Sequence, residues 1–146
     1  MIRPAREDEI AALVAAYDWL FAPPGSQPRQ WDPDAARQRL LALIASAEGE
    51  IFIAEADGVV AGICTVVLDL ESVRFGRRAW VEDLAVHPGH RSAGFGKALL
   101  NAAKDWGREH GATHLELDSG QARTEAHRFY EREQPSWSSI SYGWEL

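Results

Sequence analysis

Three groups of residues have the types and spacing to do chemistry. The first is a pair of acids, Glu82 and Asp83, set in an otherwise apolar run, Ala79-Trp80-Val81-Glu82-Asp83-Leu84-Ala85-Val86. A carboxylate can take a proton from an ammonium group, directly or through water, or simply hold its charge. In a regular strand neighbouring side chains point to opposite faces, so only one of the two acids is expected to face a given cleft. Glu82 is the expected base. Asp83 is expected to hold structure or attract a cationic substrate, and for Glu82 the alternative is a solvated acid on a strand face. The second group is Tyr130. In Ala126-His127-Arg128-Phe129-Tyr130, Ala126, Phe129 and Tyr130 share one face of a helix, which turns the phenol inward. A phenol near pKa ~10 is protonated at neutral pH and can donate to a thiolate whose thiol titrates near ~8.5. The alternative is a core tyrosine with a satisfied hydroxyl.

The third group is Arg91-Ser92-Ala93-Gly94-Phe95-Gly96-Lys97, which opens a helix. First-turn N–H groups have no intrahelical acceptor and, with the helix dipole, attract an anion. Gly94 and Gly96 let a diphosphate approach the backbone without meeting a Cβ. Two familiar phosphate motifs fail here. A P-loop needs Gly at 91 and Ser or Thr at 98, where the chain has Arg91 and Ala98, and a dinucleotide fingerprint needs Gly at 99, where Leu99 stands.

The elements that must position these groups follow from periodicity. Residues 1–5 suit a short strand. A helix from about Asp8 carries the apolar stripe Ile10, Leu13, Val14, Tyr17 and Phe21 and ends before Pro23-Pro24-Gly25. The proline-rich, aromatic segment Ala22 to Trp31 is a shaped loop. Asp32-Pro33 reads as cap and first position of a second helix. Ile51-Phe52-Ile53-Ala54 and Val59 to Leu68 read as antiparallel strands joined by Asp57-Gly58, and Asp69 to Arg78 as a polar connection. The strand with the two acids comes next. Phe95, Ala98, Leu99, Ala102 and Trp106 make the third helix amphipathic, ended by Gly111. His114 to Asp118 alternates as a strand reached by a right-handed crossover. A fourth helix covers about Thr124 to Glu133, and Ser138 to Leu146 reads as a closing strand.

R-x-x-G-x-G behind a strand ending Asp-Leu-Ala-Val resembles the acyl-CoA pyrophosphate signature of the GNAT superfamily of N-acetyltransferases, and the order of elements is similar to that fold over nearly the whole chain. Val81-Glu82-Asp83-Leu84-Ala85-Val86 resembles the corresponding strand of polyamine (diamine) acetyltransferases and, in part, of aminoglycoside 3-N-acetyltransferases. The resemblance implies an α/β (α+β) fold in one domain, residues 1–146, with a mixed central sheet of six to seven strands flanked by four helices. It implies acetyl-CoA as cosubstrate. The backbone of Leu84, Ala85 and Val86 would pair with pantetheine, while Arg91, Ser92, Ala93, Gly94, Phe95, Gly96 and Lys97 wrap the pyrophosphate. Glu82 would be the base, through water, and Tyr130, in an A-x-x-F-Y motif, the general acid for direct transfer to a primary amine. Asp83, Trp31 and Trp80 are candidate acceptor contacts. The chain departs from the pattern at Ser92, often Gly in relatives, at Arg123, often Asn, and at Gln134-Pro135, where Gly-Phe is usual. Two other readings stay open on the same fold: a non-catalytic acyl-CoA sensor, and an acetyltransferase for protein amino groups. Dimers are frequent among such relatives, so a homodimer is a candidate assembly.

Composition narrows the partners. A net charge of −7 over 146 residues argues against a nucleic-acid binder, which needs a basic face, and suits a small cationic acceptor. There is no apolar run of about 18 residues to span a membrane and no signal-peptide core, so a cytoplasmic protein is expected. The single Cys64 excludes an internal disulfide and a multi-thiolate metal site. His110 and His114 have ligand-like spacing, but Gly111 breaks the helix that would align them, so no metal is expected.

Overall fold

Asp57 and Gly58 both adopt positive φ, 52° and 77°, the geometry a two-residue hairpin turn requires. They fold the middle of the chain back on itself, joining the two strands on either side. The computed structural model describes residues 1–146. The order is β1 (Ile2–Pro4), α1 (Ile10–Phe21), α2 (Pro33–Ala45), β2 (Gly49–Ala56), β3 (Val59–Ser72), β4 (Gly76–Val86), α3 (Phe95–Glu109), β5 (His114–Glu116) and α4 (Thr124–Arg132). The strands lie side by side in chain order, the first four antiparallel and β5 parallel to β4. The α3 crossover makes that parallel step.

Both faces of the sheet are covered, as continuous apolar runs such as Ile51-Phe52-Ile53-Ala54 demand when successive side chains point to opposite faces. Leu13 and Ala16 of α1 and Leu40 of α2 pack with Ile51, Ile53 and Ile63 on one face. Leu99, Ala103 and Trp106 of α3 pack with Ala54, Cys64, Val66, Ala79 and Val81 on the other. The α2 cap is as expected, with Asp32 Oδ1 accepting from the N–H of Asp34 at 3.0 Å. No helix is long and apolar enough to cross a membrane.

Three expectations need correction. The sheet has five strands, not six to seven, because residues 135–146 make no backbone hydrogen bond and form no closing strand. Asp69 to Arg78 is not a loose connection. β3 and β4 run on to Ser72 and from Gly76 as one long hairpin, its polar residues paired across the ladder: Arg78 holds both oxygens of Asp69 at 2.9 and 2.8 Å, and Arg77 reaches Glu71 at 3.2 Å. Opposite charges facing each other favour such an extension. Finally, β5 stops at Glu116 rather than Asp118.

Candidate active site

A bulge in β4 builds the site. Thr65 of β3 faces Asp83 and Val66 faces Val81, so Glu82 has no residue opposite it. An extra residue reverses the in/out parity of everything after it. Ala79 and Val81 accordingly pack on the α3 side, whereas Ala85 packs on the α1 side. The same reversal puts Glu82 and Asp83 on one cleft, against the expectation that only one acid faces it. That expectation assumed a regular strand.

Beyond the bulge β4 and β5 separate. They pair only over Arg78–Trp80 and His114–Glu116, and the opening continues as a cleft of about 640 Å³ bounded by α1, α2, β4, the β5–α4 segment and α4. His87 N–H donates to Ala61 O on β3, and with Ile63 opposite Ala85 antiparallel alternation turns the backbone groups of Ala85 toward β3 and those of Leu84 and Val86 away from it. Of the three residues expected to pair with pantetheine, only Leu84 and Val86 therefore offer free edge groups. Val86 O already receives Arg91 Nε at 3.4 Å, which ties Arg91 to the loop.

Asp83 accepts a hydrogen bond from Tyr17 Oη at 2.6 Å, and its own N–H donates to Thr65 Oγ1 at 3.1 Å. Burial raises the carboxyl above its ordinary pKa, opposed by the Tyr17 hydrogen bond, with neighbouring Glu82 adding to the rise. Burial and then the Asp83 charge push the Tyr17 phenol up as well, so Tyr17 stays a donor. Glu82 is exposed and accepts from Trp80 Nε1 at 2.6 Å. Trp80 lies outside the cleft lining, with the Arg78 guanidinium 4.9 Å from its ring; it touches Glu82 rather than walling the acceptor side. Trp31 does line the cleft, stacked on Tyr17 at 5.4 Å and edge-on to Phe21 at 4.7 Å.

Tyr130 reaches the cleft from α4. Its hydroxyl has no hydrogen-bond partner within the protein, and it is not among the fully buried polar atoms. Burial lifts its pKa to about 12, Cys64 adding and Arg123 opposing. Its neighbour Phe129 packs on the start of α3, where a Cβ on Gly96 would stand 3.5 Å from the ring. Arg123 spans the cleft wall and donates to Leu20 O at the end of α1 at 2.9 Å.

The loop before α3 fits a diphosphate. The N–H groups of residues 91 to 97 donate to no acceptor in the protein. Gly94 caps α3 at φ 84°, and Ser92 stands at φ 72°. Left-handed backbone at 92 is a position that favours Gly, since a side chain costs about 1–2 kcal/mol in that conformation. Successive amides in such turns form an anion-binding concavity.

Tyr17 and Thr65 line the cleft and were not singled out by pattern, and Arg123, which also lines it, stood out only as a departure from the family pattern. Tyr17 falls on the apolar stripe of α1, and its partner Asp83 is 66 residues away.

Comparison with known proteins bears on this geometry. The model of the Acetyltransferase (GNAT) family matches residues 13–134. The chain is 34% identical over 120 residues to the uncharacterized N-acetyltransferase YhdJ of Bacillus subtilis, covering 81% of this chain and 84% of that protein. It is 33% identical over 100 residues to the aminoglycoside N(6′)-acetyltransferase type 1 of Stenotrophomonas maltophilia, covering 66% and 65%. That relative is of the 6′ type, whereas the strand motif suggested the 3-N type. Among solved structures, aminoglycoside N-acetyltransferase AAC(6′)-Iy in complex with CoA superposes with a TM-score of 0.85 over 100% of this chain and 93% of that one, at 18% identity.

Proposed function

The chain belongs to the GNAT family and is an acetyl-CoA-dependent acetyltransferase, and from that premise we propose that it acetylates a primary amine of a small cationic acceptor by direct transfer. The observation that carries this reading is the β4 bulge, which gathers two carboxylates on a cleft that also holds a protonated phenol.

Acetyl-CoA, held by the free amides of residues 91 to 97 and the free edge groups of Leu84 and Val86, supplies an activated thioester carbonyl. The remaining steps belong to the protein. An alkyl ammonium of pKa ~10.4 must lose a proton at pH 7, which costs roughly 4–5 kcal/mol. Glu82, exposed and steered by Trp80, takes that proton through water. Asp83, fixed by Tyr17 and Thr65, draws the cation in and orients it. Trp31, Tyr17 and Phe21 supply aromatic faces suited to a cation, worth about 0.5–2 kcal/mol each. Tyr130 donates its phenolic proton to the departing thiolate and takes back the second proton that the amine nitrogen loses as the adduct collapses to the amide. The relative named for aminoglycosides supports an acceptor of this class.

The test is thiol release from acetyl-CoA across a panel of diamines, amino acid amides and amino sugars. Turnover with at least one cationic amine, lost in Glu82→Gln, is the expected result. Full activity in Glu82→Gln would remove the base from the reading. Release only with protein amino groups would replace the acceptor class.

A further inference from the structure

The walls of the cleft carry charge of both signs. Glu82, Asp83 and Asp118 line it, and so do Arg39 and Arg123. None of the five forms an ion pair; every salt bridge in the protein is made by other residues. The carboxylates are held by neutral donors instead: Asp83 by Tyr17 at 2.6 Å, Glu82 by Trp80 at 2.6 Å and Asp118 by Ser141 at 3.2 Å. Opposite charges that share a cleft without touching leave room for a ligand that bears both.

The two arginines are placed by different devices. Arg39 shares one face of α2 with Ala36, Leu40 and Leu43, all of which line the cleft. It is the only charged residue on that face, and it donates to nothing in the protein. Arg123 precedes α4 and is held by a single bond from Nη2 to Leu20 O at 2.9 Å, which leaves its Nε and Nη1 donors free. The loop after α1 closes on this guanidinium so tightly that a Cβ on Gly25 would stand 2.6 Å from Nη2. Its position is therefore fixed before any ligand arrives.

We propose that Arg39 and Arg123 bind a carboxylate of the acceptor while Glu82 and Asp83 hold its reacting amine, so that the substrate is a diamine that also carries a carboxylate. This rests on the amine-acetylating reading above and narrows its acceptor class. Such a compound is still a cation overall, and Asp118 faces its second ammonium. Guanidinium groups match a carboxylate in geometry and take it through paired, charge-assisted hydrogen bonds. They would match a phosphate too, but a phosphate dianion would meet the field of three carboxylates in the same cleft, and that repulsion grows with its charge. A single negative charge balances the site better. Arg39 and Arg123 are thus specificity-determining residues, and neither takes part in proton transfer.

Thiol release at saturating acetyl-CoA tests this with acceptor pairs that differ by one carboxylate: free lysine against cadaverine, and free ornithine against putrescine. In the wild type the carboxylated member of at least one pair should have the higher kcat/KM by about tenfold or more, with the difference in KM. In Arg39→Gln, and separately in Arg123→Gln, that ratio should fall toward one. Because the ratio is taken within each variant, a general loss of activity, such as release of Leu20 O would cause, does not imitate the effect. Plain diamines used as well as their carboxylated counterparts overturn the proposal and leave amine acetylation standing. A ratio unchanged in either variant overturns it too, as does release with none of the four compounds. Release with no member of the wider amine panel would overturn the acetylation reading beneath it.

Discussion

Replacing Tyr130 with Phe removes one oxygen and little else. The ring keeps its packing beside Phe129, 5.1 Å between centroids, and the lost hydroxyl has no protein partner, so the melting temperature and CoA affinity should not change. The effect on rate follows from the burial that lifts the phenol to about 12. At pH 7 only about one molecule in 10⁵ is ionised, so the proton is always available. The same burial makes Tyr130 a weaker acid than an ordinary phenol against a thiolate of pKa ~8.5, which places its contribution near the low end of the general-acid range, about 10²-fold in kcat. The assay is thiol release at saturating acetyl-CoA and amine. KM for acetyl-CoA should be unaltered, and the wild-type profile should show no alkaline loss assignable to a phenol below about 12. An unchanged kcat in Tyr130→Phe would refute the assignment. So would a parallel loss of CoA affinity, which would make the hydroxyl a binding group.

Asp83→Asn should raise the melting temperature at neutral pH, because the folded carboxyl titrates above its unfolded value and its charged form is held at a cost. The gain should shrink as pH falls through the folded pKa, where protonated wild type no longer carries that cost; a gain that grows with acidity would contradict it. The same variant should raise KM for the amine more than KM for acetyl-CoA. Leu99→Ala, at a fully buried α3 position, should lower stability by about 2.7–5 kcal/mol in urea unfolding, and a smaller loss would mean that the α3 face repacks. Ser92→Gly should stabilise by up to about 1–2 kcal/mol by relieving left-handed backbone, measured in the same way, with CoA binding retained.

Local chemistry made much of this legible in sequence. Asp57-Gly58, Asp32-Pro33 and the stripe from Phe95 to Trp106 each encode their element through neighbours a few residues away, and the free amides before α3 follow from Gly94 and Gly96 alone. The bulge at Glu82 was not legible, because it exists only in the pairing of β4 with β3: no feature of Val81-Glu82-Asp83 says that Thr65 will face Asp83. Tyr17 was hidden for a related reason, since a phenol on an apolar stripe looks like packing until a carboxylate 66 residues away meets it. The tail misled in the opposite direction. Its alternation encodes a strand, but a strand needs an edge to pair with, and none in this chain takes it.

Titration calorimetry of the purified protein with CoA tests most directly whether the bulged strand and the amides of residues 91 to 97 form one cosubstrate site. Saturable binding of one CoA per chain, retained in Tyr130→Phe, is the predicted result; the absence of saturable heat up to millimolar CoA would contradict it.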